Sequence, residues 1–322
     1  MNFNTIPFQN IVQFGQQTML DRPLFSVSWI LGRFCNYKCS YCWPYANSST
    51  PDHQPLEVYK STVDDIKRQA RANGFNQWHW SFSGGEPTAY KHLLELVEHL
   101  GTEEYQSIHM TTNLSPSNNW WKKWADNTKT LQRRSLTASF HAEFANEIEF
   151  ADKILQLMDD GVFVTVNQVM VPDQFYSLYE RLQRFANRGI NVTLKPQSNE
   201  SASAIVDGYS SRMIELMQEG FPQKANGEEV YQVRLSDGVN NYYIDQAERF
   251  NAFGFNKFQG WSCNSGYQSV IIRGNEVKRS YSCHDQILGT LEHFELFKEP
   301  QRCITPICVS SADSKVPKIK NV

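Results

Sequence analysis

Residues 24–43 read LFSVSWILGRFCNYKCSYCW: an apolar strand pattern runs straight into a loop that carries Cys35, Cys39 and Cys42. Three thiols in one short loop is an awkward number. Disulfides take cysteines in pairs, and a closed zinc site takes four ligands. A buried strand that hands a cysteine loop to its carboxyl end predicts a parallel α/β sheet, with its chemistry on the loops at that end.

The pattern outward from this stretch supports such a sheet. Strands are expected at 24–32, 78–83, 105–112, 135–140, 162–170 and 190–196. Helices are expected at 56–74, 90–101, 120–127, 147–161, 175–189 and 210–220. Six strand–helix units predict right-handed parallel crossovers and an open, partial (β/α)6 TIM-like barrel over residues 24–222, an α/β fold. The cysteine loop, SGGEP (83–87) and TTN (111–113) all fall at strand carboxyl ends.

Past residue 222 the pattern changes to hairpins. EVYQVRLSDGVNNYYI (229–244) turns at Asp237-Gly238, and SVIIRGNEVKRS (269–280) turns at Gly274-Asn275. This predicts a small α+β domain over 223–310. Residues 1–23 read as an N-terminal extension, and the basic segment 311–322 reads as a frayed, solvated tail.

Composition narrows the function. The 322 residues are 40% hydrophobic and 13% aromatic, enough for a sizeable core. A net charge of −3 predicts no attraction to nucleic acid polymers or anionic lipid. There is no secretory pattern and no long apolar run, so a cytoplasmic location without membrane association is expected. Thiols there stay reduced and serve metals more than bridges. The tryptophan-rich stretches WHW and WWKKW read as packing positions.

The seven cysteines divide into three (35, 39, 42) and four (263, 283, 303, 308), with none at 43–262. That split suits two metal centres. Three thiolates on a [4Fe–4S] cubane leave one iron open, and an open iron can bind a small molecule. A zinc site completed by His53 or a distant ligand is the alternative for the first group, and a four-thiolate zinc knuckle for the second.

Cys-x3-Cys-x2-Cys with Tyr41 before the third cysteine resembles the signature of radical S-adenosylmethionine (SAM) enzymes. The resemblance implies a [4Fe–4S] cluster on Cys35, Cys39 and Cys42, with the methionine part of SAM on the open iron. Reductive cleavage then releases a 5′-deoxyadenosyl radical that abstracts hydrogen from an unactivated C–H bond. SGGEP resembles the second family motif, in which Gly84, Gly85 and Glu86 receive the SAM amino group. Thr112 and Asn113 match part of a Thr-Asn-Gly motif in which Leu114 replaces the glycine. Ser139 stands where relatives direct a serine to SAM, with His141 in place of their aspartate, and Asn167 matches an asparagine that faces the cofactor. Strand-end hydrogen bonds are the alternative role for Ser139 and Asn167.

Cys263, Cys283, Cys303 and Cys308, with Gly274 and ILGTL (287–291), resemble the twitch or shortened SPASM appendage that holds an auxiliary [4Fe–4S] cluster. The combination implies a radical SAM oxidoreductase similar to aminocyclitol dehydrogenases. It would oxidise a small polar, sugar- or nucleotide-like substrate, with the auxiliary cluster as electron acceptor and a flavodoxin or ferredoxin-type reductant. The short stretch before Cys35 has no room for a winged-helix peptide module, which favours a small molecule over a peptide. A peptide or protein maturase is the second reading. A nucleotide dehydratase and a non-catalytic iron–sulfur or zinc protein follow. His141, Lys195, Arg273 and His284 are the candidate catalytic side chains, with ordinary structural roles as the alternative for each.

Overall fold

The computed structural model describes residues 6–42, 47–101, 105–200, 204–225, 228–229, 231–244, 247, 251, 254–283 and 286–320. His284 lies outside the described residues. The chain opens on strand β1 (Gln13–Gln16) and a short helix α1 (Gln17–Asp21). The half-barrel follows: β2 (Leu24–Ile30), α2 (Leu56–Ala72), β3 (Gln77–Ser83), α3 (Leu93–His99), β4 (Gln106–Thr112) and α4 (Asn118–Thr128). It continues through β5 (Arg133–Ser139), α5 (Glu147–Asp159), β6 (Phe163–Met170), α6 (Phe175–Asn187), β7 (Asn191–Pro196) and α7 (Ser211–Glu219). Each expected strand and helix forms at or near its expected bounds.

Strands β2 to β7 pair in parallel in sequence order. Alternation decides which side chains face which layer. Phe25, Val27 and Trp29 of β2 and Trp78, Trp80 and Phe82 of β3 are buried toward the helices. A fully buried apolar side chain of this size contributes about 1.5–3 kcal/mol, so these positions anchor the sheet. The intervening residues are polar and only half-buried, as in Ser26, Ser28, His79, Ser81, His109, Thr137 and Thr165. The concave face is therefore a wall of hydroxyls and imidazoles. Local signals end the elements: Asn146 accepts from the Ile148 and Glu149 amides to start α5, and the Ser210 hydroxyl accepts from the Met213 amide to start α7.

The remaining strands are β8 (Lys224–Ala225), β9 (Glu228–Glu229), β10 (Val233–Ser236), β11 (Asn241–Ile244), β12 (Ser262–Cys263), β13 (Ser269–Arg273), β14 (Glu276–Lys278), β15 (Ile287–Thr290), β16 (His293–Phe294), β17 (Gln301–Arg302) and β18 (Lys318–Ile319), with helix α8 (Ser311–Ser314) before the last. Both expected hairpins form, β10 with β11 and β13 with β14.

Two sequence expectations are corrected. The second hairpin joins the barrel: β13 pairs in parallel with β2, from Ser269 opposite Ser26 to Arg273 opposite Ile30, so one sheet runs from β16 to β7. Through residue 320 the tail is not frayed. Strand β18 lies inside a second, antiparallel sheet of order β11-β10-β1-β18-β12-β17, between β1 and β12. Strands β1 and β18 thus belong to the structure around the C-terminal cysteines, with Phe14, Leu235, Phe258, Cys263, Cys303 and Cys308 in one core cluster. Their pairing partners lie far away in sequence, from 55 residues for Cys263 and Lys318 to 306 for Gln13 and Ile319, and such contacts leave no local periodicity to read.

Candidate active site

The cysteine loop is fastened to the end of β3 before it reaches its first thiol. The Leu31 amide donates to Ser83 O at 3.0 Å, the Gly85 amide to Gly32 O at 2.9 Å and the Glu86 amide to Phe34 O at 2.8 Å. A Cβ on Gly84 would stand 2.2 Å from Gly32 O, and one on Gly85 would stand 2.1 Å from Phe34 O. These glycines are required by the loop itself, before any ligand is considered. Asp52 secures the same turn, accepting from the Arg33 amide at 2.8 Å and the Phe34 amide at 3.2 Å.

Glu86 is buried, 2% exposed, and braces the pocket wall. Its Oε1 accepts from the Thr88 amide (3.0 Å), Thr88 Oγ1 (2.7 Å) and Thr112 Oγ1 (2.8 Å), and its Oε2 accepts from the Asn113 amide (2.6 Å). Burial pushes its carboxyl up, and these donors pull it back. Asn113 Nδ2 donates to Asn36 Oδ1 in the cysteine loop at 2.9 Å. Leu114 takes φ +55°, the left-handed conformation natural to the glycine of the similar motif, and is buried there.

Cys35 and Cys39 are half-buried and Cys42 is exposed. Burial raises all three thiols, Cys39 to about 12 with Glu143 adding to the effect. A metal that binds them must displace protons. His141 Nδ1 lies 2.7 Å from the Tyr41 hydroxyl and 3.2 Å from Cys39 Sγ. Burial pulls its imidazole down to about 4. His141 is thus a partner of the loop. Sequence reasoning missed Glu143, which accepts from the Ser40 amide and hydroxyl, and Phe144, whose ring stacks on Tyr37 at 4.7 Å. Nothing local marks either residue.

Ser139, the last residue of β5, is the cross-strand partner of Asn167, within β6. Asn167 Oδ1 is buried without a hydrogen-bond partner, leaving an acceptor unused there. Lys195 is the penultimate residue of β7 and Arg273 the last of β13, on opposite flanks of the parallel strands. The Arg273 guanidinium also lies over the Tyr281 ring, 5.8 Å from its centre.

The four C-terminal cysteines are all buried. The Cys303 thiol is raised by burial and then by Cys263 and Cys283. The Cys308 thiol is raised to about 12 by burial, with Cys263 and Cys303 adding. Cys263, Cys303 and Cys308 share one buried cluster, and Thr305 joins Cys283 to it, with its hydroxyl 3.4 Å from Cys283 Sγ and its carbonyl 3.6 Å from Cys303 Sγ. At Cys263 burial acts upward, but Lys318, Ser265 and Arg279 outweigh it and the thiol falls.

Both groups offer all-thiol donor sets, as iron–sulfur clusters require. His53, weighed as a zinc ligand, packs its ring on Tyr90 at 5.0 Å and Phe34 at 6.4 Å instead. Among the described residues, no group of three His, Cys, Asp or Glu side chains is arranged to hold a single metal ion. No helix among them is long and apolar enough to cross a membrane.

A half-barrel of parallel strands with a three-cysteine loop at its carboxyl rim defines a class, and residues 29–194 match the radical SAM superfamily model. The chain belongs to that superfamily. Among curated relatives, a probable GTP 3′,8-cyclase of Saccharolobus solfataricus is 32% identical over 92 residues, 29% of this chain. The match spans 28% of that relative's length. Among solved structures, histidine-tagged anSMEcpe with bound AdoMet aligns with a TM-score of 0.53, and native anSMEcpe with bound AdoMet and the Kp18Cys peptide with 0.52. Each is 15% identical and covers 84% of this chain, and the matches cover 78% and 77% of those chains. This is a likeness of fold.

Proposed function

We propose that this radical SAM enzyme oxidises a small polar substrate, sugar- or nucleotide-like, and passes an electron to an auxiliary [4Fe–4S] cluster. The observation that carries this reading is the buried cluster of Cys263, Cys303 and Cys308, to which Thr305 joins Cys283. When bound, the first cluster supplies the electron that cleaves SAM, and the nucleoside radical so released takes hydrogen from substrate.

Every other role falls to the chain. Cys35, Cys39 and Cys42 hold the first cluster, with Tyr41 and His141 against the loop. Gly84, Gly85 and Glu86 with Thr112 and Asn113 form the wall toward the SAM amino group. Ser139 and the orphaned Asn167 amide oxygen face the rest of SAM. The hydroxyl-rich concave face orients a polar substrate, and Lys195 and Arg273 offer positive charge to an anionic one. His284 is the remaining acid–base candidate. A flavodoxin or ferredoxin-type reductant supplies the electron, in the cytoplasm, and neither nucleic acid polymer nor membrane takes part.

A peptide substrate is the second reading. It is favoured by the stacked Tyr37 and Phe144 rings beside the cysteine loop, with Phe144 44% exposed, and by the peptide bound in the anSMEcpe structure of similar fold.

The test is anaerobic reconstitution with iron and sulfide, followed by metal counting and an assay for SAM cleavage. Two cubanes predict about eight irons in the wild type and about four in a Cys35/Cys39/Cys42→Ala variant. About four irons in the wild type would remove the auxiliary cluster and the oxidation with it. Zinc in place of iron would sink the reading.

A further inference from the structure

Two cations are buried beside the four-thiol region, Lys318 at 0% and Arg279 at 1% exposed. Lys318 is the ladder partner of Cys263 in the β12–β18 pair. Its Nζ donates to the carbonyls of Asp313 (2.7 Å), Ser314 (3.3 Å) and Val316 (2.8 Å) and lies 4.7 Å from the centre of the Phe258 ring. Arg279 donates through Nε to Ser265 O at 3.2 Å, and through Nη2 to Gln301 O at 3.2 Å and Arg302 O at 3.4 Å. It thereby bridges the segments that carry Cys263 and Cys303.

Both side chains spend their donors largely on neutral acceptors. The nearby Asp313 carboxylate is turned elsewhere, accepting from the Tyr281 amide (3.2 Å), the Ser282 amide (2.8 Å) and Ser282 Oγ (2.7 Å). Asp313 is itself buried and acts on Lys318, so two buried cations share one carboxylate there, and a buried charge left unbalanced is costly. Four thiolates around a cubane supply the anion, because together they outweigh the positive charge of the iron–sulfur core.

We propose that Lys318, assisted by Arg279, is the built-in counter-charge of the second centre and raises its reduction potential. This rests on the reading of the four thiols as an auxiliary cluster. Substrate oxidation there gives up one hydrogen atom to the nucleoside radical, one proton to solvent and one electron to the cluster, whose core falls by one unit of charge. A fixed ammonium alongside stabilises the more negative, reduced form by Coulomb attraction. The chain end thus makes the centre a better electron acceptor.

The experiment is a redox titration of the second centre, followed by its spin signal, in the Cys35/Cys39/Cys42→Ala background. Lys318→Met keeps the length and apolar stem, and Lys318→Arg keeps the charge. A midpoint potential that falls in the Met variant and stays near the parent value in the Arg variant is expected. Loss of iron from the Met variant alone supports the same counter-charge role. Equal midpoints in all three proteins overturn it, as does an equal shift or an equal loss of iron in both variants. Either of these leaves the auxiliary cluster intact in the parent. Absence of iron from the parent itself refutes the auxiliary-cluster reading, and the proposal falls with it.

Discussion

Gly85 and Phe34 approach so closely that a single methyl group on Gly85 would stand 2.1 Å from the Phe34 carbonyl oxygen. The end of β3 and the start of the cysteine loop are therefore one unit, and the spacing of the three thiols depends on the second motif.

Gly85→Ala should open this contact, because the clash is with backbone. The expected result is a cost of about 3 kcal/mol or more, of the order seen for overpacking a tight site, with iron lost from the first centre and retained by the second. Gly74→Ala is the control. Its site has φ +89° and no neighbour within 4 Å, so it should cost about 1 kcal/mol and leave the iron count unchanged. Urea midpoints and metal analysis measure both.

Leu114 combines a strained backbone with a buried side chain. Leu114→Gly should recover about 1 kcal/mol of left-handed strain and forfeit about 2–3 kcal/mol of apolar burial. A net loss of about 1–2 kcal/mol in urea unfolding is expected. A variant more stable than the wild type would show that strain outweighs burial.

The Tyr41–His141 hydrogen bond is testable as a pair in the metal-free protein at neutral pH. Tyr41→Phe and His141→Phe remove the same 2.7 Å contact, so the double variant should lose less stability than the two singles combined. The coupling should be about 1 kcal/mol. Additive losses would mean that the two rings act independently.

His109 gives a pH dependence. Its Nδ1 lies 2.9 Å from Ser135 Oγ and its Nε2 lies 3.2 Å from Thr137 Oγ1. Burial, with Lys315 and Arg133 adding, brings its imidazole down to about 3. A folded value below the unfolded value of about 6.5 means that the unfolded chain takes the proton first. The contribution is therefore fully present above pH 6.5 and is lost as pH falls toward 3. Between pH 7 and 5 the linkage amounts to about 2 kcal/mol. Urea midpoints at the two pH values should drop further in the wild type than in His109→Asn, and equal drops would place the lost stability elsewhere.

The amino-acid sequence by itself determined the half-barrel and the rim on which its motifs sit. Strand alternation, helical spacing and the glycine stop after α2 are local, and local physics is what a linear pattern records. It determined the cysteine loop and SGGEP for the same reason, since spacing within a loop is chemistry within a few residues. Only the tertiary structure decided that Gly84 and Gly85 answer to the loop backbone, that Glu86 braces Thr112 and Asn113, and that β13 extends the barrel sheet. Above all it decided the fate of SKVPKIKNV, which reads as a solvated basic tail until β18 places Lys318 opposite Cys263. A lysine carries no local mark of burial. That depends on partners distant in sequence, here β1 and β12, whose hydrogen bonds and apolar cover exist only once the chain has closed on itself.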